Sequence, residues 1–334
     1  MPLIYDKGFS TEAAEPSNVI GIHDSKIKKI ILNQLSDNDG FIDTTWAEPN
    51  SELIAFFETC KKENKRVFVY SGPDWDNQYG EPGRENRYGF LHNNLSECNT
   101  IYIGNTLGKY YFSFWVDFVY ENLDKFTQFD TYDIKIPMKY YMCLNRKPHR
   151  HRIELVNQIR HHDLMNYGHL SLGGDHIIKL SKDIKNKEGD MAVGGDVGIT
   201  NDITSLGHQD NWNNHFLNVV SETTTYTNVF LTEKTLKPII GRRPFVILGD
   251  TNIYYLLKEW GFDTFDDLFG TCNYTDHHER IEWIISNLKD LINKGDAHLP
   301  ELFESLKPRL EHNFENFIRI AKINRKNIEN LLDK

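Results

Sequence analysis

Residues 216–250 read FLNVVSETTTYTNVFLTEKTLKPIIGRRPFVILGD, and their order of residue types decides the fold class. An apolar, β-branched run ends at Ser221 and the acidic Glu222. A polar loop follows, then Thr232, Glu233 and Lys234 open a charged element, and Pro244 to Leu248 is apolar enough for a buried strand. Strand, loop, helix start and strand in this order predict an α/β unit with parallel strands. Glu222, Glu233 and Lys234 then gather where open α/β sheets bind ligands, in the crevice outside the carboxyl ends of the strands.

The helix start contains an electrostatic conflict. Thr232 is a good N-cap and Glu233 suits the positive end of the helix dipole, but Lys234 in the first turn opposes it. A bound anion resolves the conflict: free backbone N–H groups, the dipole and an ammonium make a phosphate-binding corner. The alternative is an ordinary amphipathic helix with a solvated Lys234. Pro238 removes an interior N–H and is expected to bend or shorten the helix.

A second segment points to the same chemistry. Residues 136–144, IPMKYYMCL, read as a strand that runs into Asn145, Arg146, Lys147, Pro148, His149, Arg150, His151 and Arg152, ahead of a helical pattern at Ile153, Leu155, Val156 and Ile159. The basic cluster therefore falls at a strand-to-helix turn, where doubly wound sheets bind diphosphates, although no glycine-rich dinucleotide fingerprint is present. Arginine suits the task because its planar fork holds two phosphate oxygens at once. A basic patch for nucleic acid, or one that is merely solvated, is the competing reading.

These residues resemble the donor-sugar motif of the α-1,3-fucosyltransferases and of a looser set of phage and bacterial glycosyltransferase-like proteins, over about residues 138–270. The resemblance implies a GT-B fold, with two Rossmann-like α/β domains facing a cleft and a final helix that crosses back onto the first. It implies that Glu233 and Lys234 contact the ribose and diphosphate of a nucleotide-sugar and that Glu222 matches the family's strand-end acid. Asn145, Arg146, Arg152 and Thr232 complete the expected donor site. The Asn and Ser that follow the acid in fucosyltransferases are here Thr223 and Thr224, so the donor sugar does not carry over.

Length allows two domains: 334 residues, 39% of them hydrophobic, can fill two ordinary cores. The expected division is 1–130, an acceptor-side domain, and 131–334, a donor-nucleotide domain with terminal helices. No apolar run approaches the roughly 18 residues that span a bilayer, and MPLIYDKGF does not resemble a signal peptide, so a cytoplasmic location is the default. Cys60, Cys98, Cys143 and Cys272 lie far apart without a CxxC pair, which indicates neither a zinc site nor a disulfide framework. A net charge of -10 disfavours non-specific binding to polyanions, while leaving room for a local basic patch to dock phosphates.

The first half has its own α/β rhythm: a strand at Phe41–Trp46, a helix at Pro49–Lys62, a strand at Arg66–Ser71, another at Thr100–Ile103 and an aromatic helix from Tyr110 to Leu123. Asp124 to Lys135 reads as a linker. Residues 173–214, rich in Gly, Asp and Asn, read as a long connection or a lid. Helices are expected at Asn252–Trp260, Glu279–Ile292 and Pro300–Leu332, with GFDTFDDLF between the first two serving packing.

Sugar transfer needs a base for the acceptor hydroxyl and positive charge for the departing diphosphate. Lys234, Arg146 and Arg152 supply the charge. Asp74, flanked by Trp75 and Tyr79 after the strand RVFVYS, is the candidate base, with Glu222 the second catalytic candidate and His92 a weaker one. The leading expectation is thus an inverting, metal-independent glycosyltransferase that needs no Mg²⁺ and acts on a glycan or other hydroxyl acceptor. Two alternatives stand beside it: a phage-type DNA glycosyltransferase acting on a hydroxymethylated base, with duplex DNA as partner, and a non-catalytic nucleotide- or glycan-binding protein. A P-loop phosphotransferase is disfavoured because GxxxxGK[ST] is missing.

Overall fold

The computed structural model describes residues 1–5, 26–44, 47, 49–70, 85–104, 110–111, 113–146, 148–173, 203–223, 225 and 229–332. Two compact units emerge from the contacts, one of residues 1–118 with 321–334, the other of 119–320. By contacts the boundary falls between Phe118 and Val119, against the expected residue 130, and the end of the chain joins the first unit.

In the first unit five parallel strands lie in sequence order, β1 (Leu3–Tyr5), β2 (Asp39–Asp43), β3 (Arg66–Tyr70), β4 (Asn99–Gly104) and β5 (Tyr110–Tyr111). Their crossovers carry α1 (Lys26–Gln34), α2 (Ser51–Lys62) and α3 (Glu85–Ser96). Helix α2 starts where Asn50 accepts a hydrogen bond from the Leu53 N–H, and it buries Leu53, Phe56, Phe57 and Cys60 against Val67 and Val69. Tyr110 and Tyr111, read as helical, pair instead with Ile103 and Gly104, because Ser113 starts the next helix, α4 (Phe114–Glu121).

The second unit begins with α5 (Leu123–Phe126). The stretch read as a linker is packed into this unit: Arg243 donates to the Thr131 carbonyl at 2.7 Å, Asn213 to that of Asp130, and the Tyr132 hydroxyl to Glu311. Four parallel strands follow, β6 (Lys139–Asn145), β7 (Gly168–Leu172), β8 (His215–Ser221) and β9 (Phe245–Leu248), in the spatial order β7-β6-β8-β9. Every residue of β7, β8 and β9 is buried, as expected of a parallel sheet covered on both faces.

Helices α6 (Arg150–His161), α7 (Gln209–Trp212), α8 (Glu233–Ile240), α9 (Asn252–Glu259), α10 (Asp266–Phe269), α11 (His277–Asn293) and α12 (His298–Leu332) complete the chain. The GFDTFDDLF segment serves packing: Phe262, Phe265 and Phe269 are buried, and Arg309 of α12 binds Asp263 and Asp267. From Ala321 onward α12 belongs to the first unit, where Arg325 pairs at 2.6 Å with the buried Asp117 of α4. Among the described residues no helix is long and apolar enough to cross a membrane.

Strand order differs between the sheets in a way that matters for ligands. The first sheet runs in one direction without reversal. In the second the chain passes from β6 to β7 on one side and returns to place β8 on the other, so the order reverses between β6 and β8. Such a switch point opens a crevice at the carboxyl ends of the two strands, because their following connections depart to opposite sides.

Candidate functional site

The β6/β8 register pairs Met142 with Asn218, and continuing it sets Asn145 opposite Ser221 at the two carboxyl ends. Arg146 and Glu222 come next in the chain. Helix α8 starts beside them: Thr232 is the N-cap, its hydroxyl accepting from the Lys234 N–H at 3.2 Å. The helix has eight residues and ends two residues past Pro238.

Glu222 is fully buried and its carboxylate is saturated. Oε1 accepts from the Thr232 N–H at 3.1 Å and the Thr235 hydroxyl at 2.6 Å; Oε2 accepts from the Thr232 hydroxyl at 2.7 Å and the Thr223 N–H at 3.3 Å. The carboxylate thus ties the start of α8 to the end of β8, reaching a residue ten positions further along the chain.

Arg152 and His151 brace the same strand end from α6. Because α6 starts at Arg150 rather than Ile153, both lie in its first turn and turn inward. One guanidinium nitrogen of Arg152 donates to the Ser221 carbonyl at 3.2 Å and to the Glu222 carbonyl at 3.0 Å. Burial lowers the Arg152 value, against the opposing pull of Glu222 and Glu233. The His151 Nε2–H donates to the Glu222 carbonyl at 2.9 Å. Burial pushes this imidazole down to about 4, so it is neutral at pH 7 and the nitrogen carries a proton to give.

Other polar groups at the crevice are not saturated. The Glu233 side chain is buried; Oε1 pairs with Lys234 Nζ at 3.0 Å, and Oε2 has no hydrogen-bond partner among the described residues. Burial raises the Glu233 carboxyl, but the charges of Lys234 and Lys237, with hydrogen bonds from Lys234 and its own N–H, hold it below the usual range. It is therefore ionised. Asn145 spends its amide nitrogen on Cys143 Sγ and the Ser171 carbonyl, while its Oδ1 and Ser221 Oγ have no partner among the described residues. Buried polar atoms without partners are uncommon and each asks for a reason. Asn213 Oδ1, at the other end of β8, and Trp115 Nε1, Arg280 Nε and Asn324 Nδ2 elsewhere are unmatched as well among the described residues, so such atoms are not confined to the crevice.

Lys234 resolves its conflict with the dipole only in part. Its ammonium folds back over the helix start, within 3.2 Å of Thr232 Oγ1 and 3.4 Å of Thr223 Oγ1, with a side chain 32% exposed. A partly exposed ammonium above an eight-residue helix's N-terminus gives an anion both charge and N–H donors. Arg146, half-buried at the end of β6, lies close enough to lower the Arg152 value.

Of the residues expected from the sequence, Asn145, Arg146, Arg152, Glu222, Thr232, Glu233 and Lys234 thus meet at one switch point. Asp74, with Trp75 and Tyr79, lies outside the described residues, as do the His92 side chain and residues 174–202 of the glycine-rich stretch. His151, Thr235 and Ser221 were not singled out in the sequence. His151 was in view inside the basic cluster, but nothing local marks it as buried. Comparison of the chain with protein-family models, with curated proteins and with solved structures finds no match, so the functional reading rests on this geometry and on the motif resemblance.

Proposed function

We propose that the second unit binds a nucleotide-sugar at the β6/β8 switch point, and that the protein is a glycosyltransferase of GT-B type transferring the sugar to a hydroxyl acceptor. The observation that carries the reading is the contrast within one crevice. Three buried polar atoms, Glu233 Oε2, Asn145 Oδ1 and Ser221 Oγ, lack partners among the described residues beside an ammonium poised over a helix N-terminus. Two acceptors and a hydroxyl suit the hydroxyls of a ribose. The ammonium and the α8 N–H groups suit a diphosphate, with Arg146 as a further cation.

In an inverting single displacement the acceptor oxygen bonds to the anomeric carbon as the bond to the diphosphate oxygen breaks. The acceptor proton passes to a base, for which Asp74 remains the candidate, and the nucleoside diphosphate leaves with its charge met by Lys234 and Arg146. Arg152 and Glu222 act one step back, holding the strand end and the helix start. Positive side chains then take the part that Mg²⁺ plays elsewhere.

The test is a thermal-shift screen of the full-length protein against UDP, GDP, CDP, ADP, dTDP and their common sugar conjugates, with and without Mg²⁺. Selective stabilisation by one nucleotide, lost in Lys234→Ala and Glu233→Gln at unchanged fold, supports the site. No stabilisation by any of them overturns it. Stabilisation without transfer or donor hydrolysis identifies a binding protein, and salt-sensitive binding of duplex DNA identifies a modified base as acceptor.

A further inference from the structure

Glu154 stands two residues beyond Arg152 on α6, about 200° around the helix axis, so it belongs to a different face from the strand-end brace. Its Oε2 lies 2.7 Å from His277 Nε2 and 3.6 Å from His278 Nδ1, both in the first turn of α11. The two imidazole rings are 4.0 Å apart at 35°, and the three ligand atoms all lie within 4.8 Å of one another. The other carboxylate oxygen, Oε1, accepts from Arg150 Nε at 2.9 Å, which leaves Oε2 for the histidines.

A plain Glu154–His277 hydrogen bond accounts for only part of this arrangement. At 3.6 Å His278 Nδ1 is too far for a good hydrogen bond, yet its ring is turned to the same oxygen. A metal accounts for both contacts. Zn²⁺ binds imidazole nitrogen and carboxylate oxygen at roughly 2.0–2.2 Å, which in a tetrahedron separates ligand atoms by about 3.3 Å. The 2.7 Å contact opens by about 0.6 Å and the 3.6 Å contact closes by about 0.3 Å to reach that spacing.

We propose that Glu154, His277 and His278 bind one divalent transition cation of the Zn²⁺ type, with the fourth position left to water or an external ligand. Two imidazoles and one carboxylate are borderline donors that suit Zn²⁺, Co²⁺ or Ni²⁺ and not Mg²⁺ or Ca²⁺, which prefer all-oxygen shells. The positive end of α11 opposes a cation there, but Asp276, which caps the helix by accepting from the His278 N–H at 2.7 Å, and Glu154 itself supply compensating negative charge. The ion ties α6 to α11 across 123 residues of sequence, independently of the donor-site reading.

The experiment strips the full-length protein with a chelator and titrates it with Zn²⁺ by calorimetry and with Co²⁺ by visible absorption. The expected result is one ion per chain, with the intense d–d bands of four-coordinate Co²⁺ and no comparable binding of Mg²⁺. His277→Ala, His278→Ala and Glu154→Gln each weaken binding by about 100-fold or more, beyond the 10–100-fold typical of losing an outer partner. His312→Ala, a histidine of α12 bonded to the Gly261 carbonyl, leaves it unchanged. His278 is 57% exposed, so its variant reads ligand loss without a folding defect. Absence of Zn²⁺ binding in the wild type, or binding that survives His277→Ala and His278→Ala, overturns the proposal.

Discussion

Glu222→Gln separates a catalytic from a supporting carboxylate, because the two roles require stability changes of different size. The substitution keeps size and shape and turns one carboxylate oxygen into an NH₂ group. If the amide oxygen takes the Oε1 position, the NH₂ faces the Thr223 N–H, donor against donor, and Thr232 Oγ1, which already accepts from the Lys234 N–H and lies 3.2 Å from Lys234 Nζ. If it takes the Oε2 position, the NH₂ faces the Thr232 N–H, and only the Thr235 hydroxyl can turn to accept. Either way at least one buried backbone donor loses its acceptor and the surviving bonds lose their charge. Hydrogen bonds to charged groups contribute roughly 1.5–3 kcal/mol each, so the expected cost is about 2–4 kcal/mol. For a unit of this size that is a fall in Tm of roughly 5–15 °C. Urea and thermal unfolding followed by tryptophan fluorescence reads it through Trp212, Trp260 and Trp283 of the second unit, with nucleotide affinity measured below the new transition. A variant within about 0.5 kcal/mol of wild type, the scatter of ordinary surface changes, would refute the supporting role. If that stable variant had also lost sugar transfer, Glu222 would belong to the reacting groups.

Three further outcomes follow from the same geometry. Arg152→Ala removes the guanidinium donor from the Ser221 carbonyl and one of two donors from the Glu222 carbonyl, which keeps His151, and empties a buried space of its charge; it is expected to cost about 3 kcal/mol in urea unfolding, whereas an arginine that served phosphate alone would leave stability nearly unchanged. His151, held neutral with its value near 4 against about 6.5 when unfolded, contributes stability that is complete above pH 6.5 and is lost as pH falls toward 4. Stability curves of wild type and His151→Gln, which keeps a donor for the Glu222 carbonyl but does not titrate, should therefore converge by up to about 3 kcal/mol over that window, and parallel curves would contradict the assignment. Gly241→Ala places a methyl 2.1 Å from the ring of Trp212, whose Nε1–H is bonded to the Gly241 carbonyl; the expected cost is about 2 kcal/mol, checked by thermal unfolding.

The parts of this fold that were legible in the sequence are those built from local signals. The β8–loop–α8–β9 unit announces itself through a β-branched run, a Thr N-cap and a second apolar run, and the structure carries all three within a few residues of the expected limits. Strand β7, GHLSL, gave no such signal. It is a strand because its five residues are buried and because Gly168 lets the Tyr141 ring lie where a Cβ would sit at 2.4 Å, a long-range packing condition. Without β7 the order β7-β6-β8-β9 cannot be written down, so the switch point was out of reach although both strands that flank it were in view. The same limit hid the state of Glu222, which is set by Thr232 and Thr235, and the Glu154–His277–His278 cluster, whose parts are 123 residues apart.

The strongest discrimination between support and contact comes from how completely each buried polar group is satisfied. A folded chain leaves few buried donors or acceptors without partners, since each costs roughly 1–3 kcal/mol. The Glu222 carboxylate has four donors, and the strand-end carbonyls are met by Arg152 and His151; that carboxylate and those carbonyls are complete without a ligand. Glu233, one residue into α8, is ionised and buried with an oxygen to spare, and Asn145 and Ser221 leave one polar atom each unmatched. Among the described residues Trp115 Nε1, Asn213 Oδ1, Arg280 Nε and Asn324 Nδ2 are buried and unmatched too, but the three at the crevice stand together beside Lys234 and the helix start. In the proposed reading a polyhydroxylated, anionic molecule meets them, its hydroxyls matching the spare atoms and its charge matching Lys234 and the helix start. The acids that the motif resemblance groups together therefore separate by physics: Glu222 fixes the frame, and Glu233 keeps an ionised oxygen unmatched beside it.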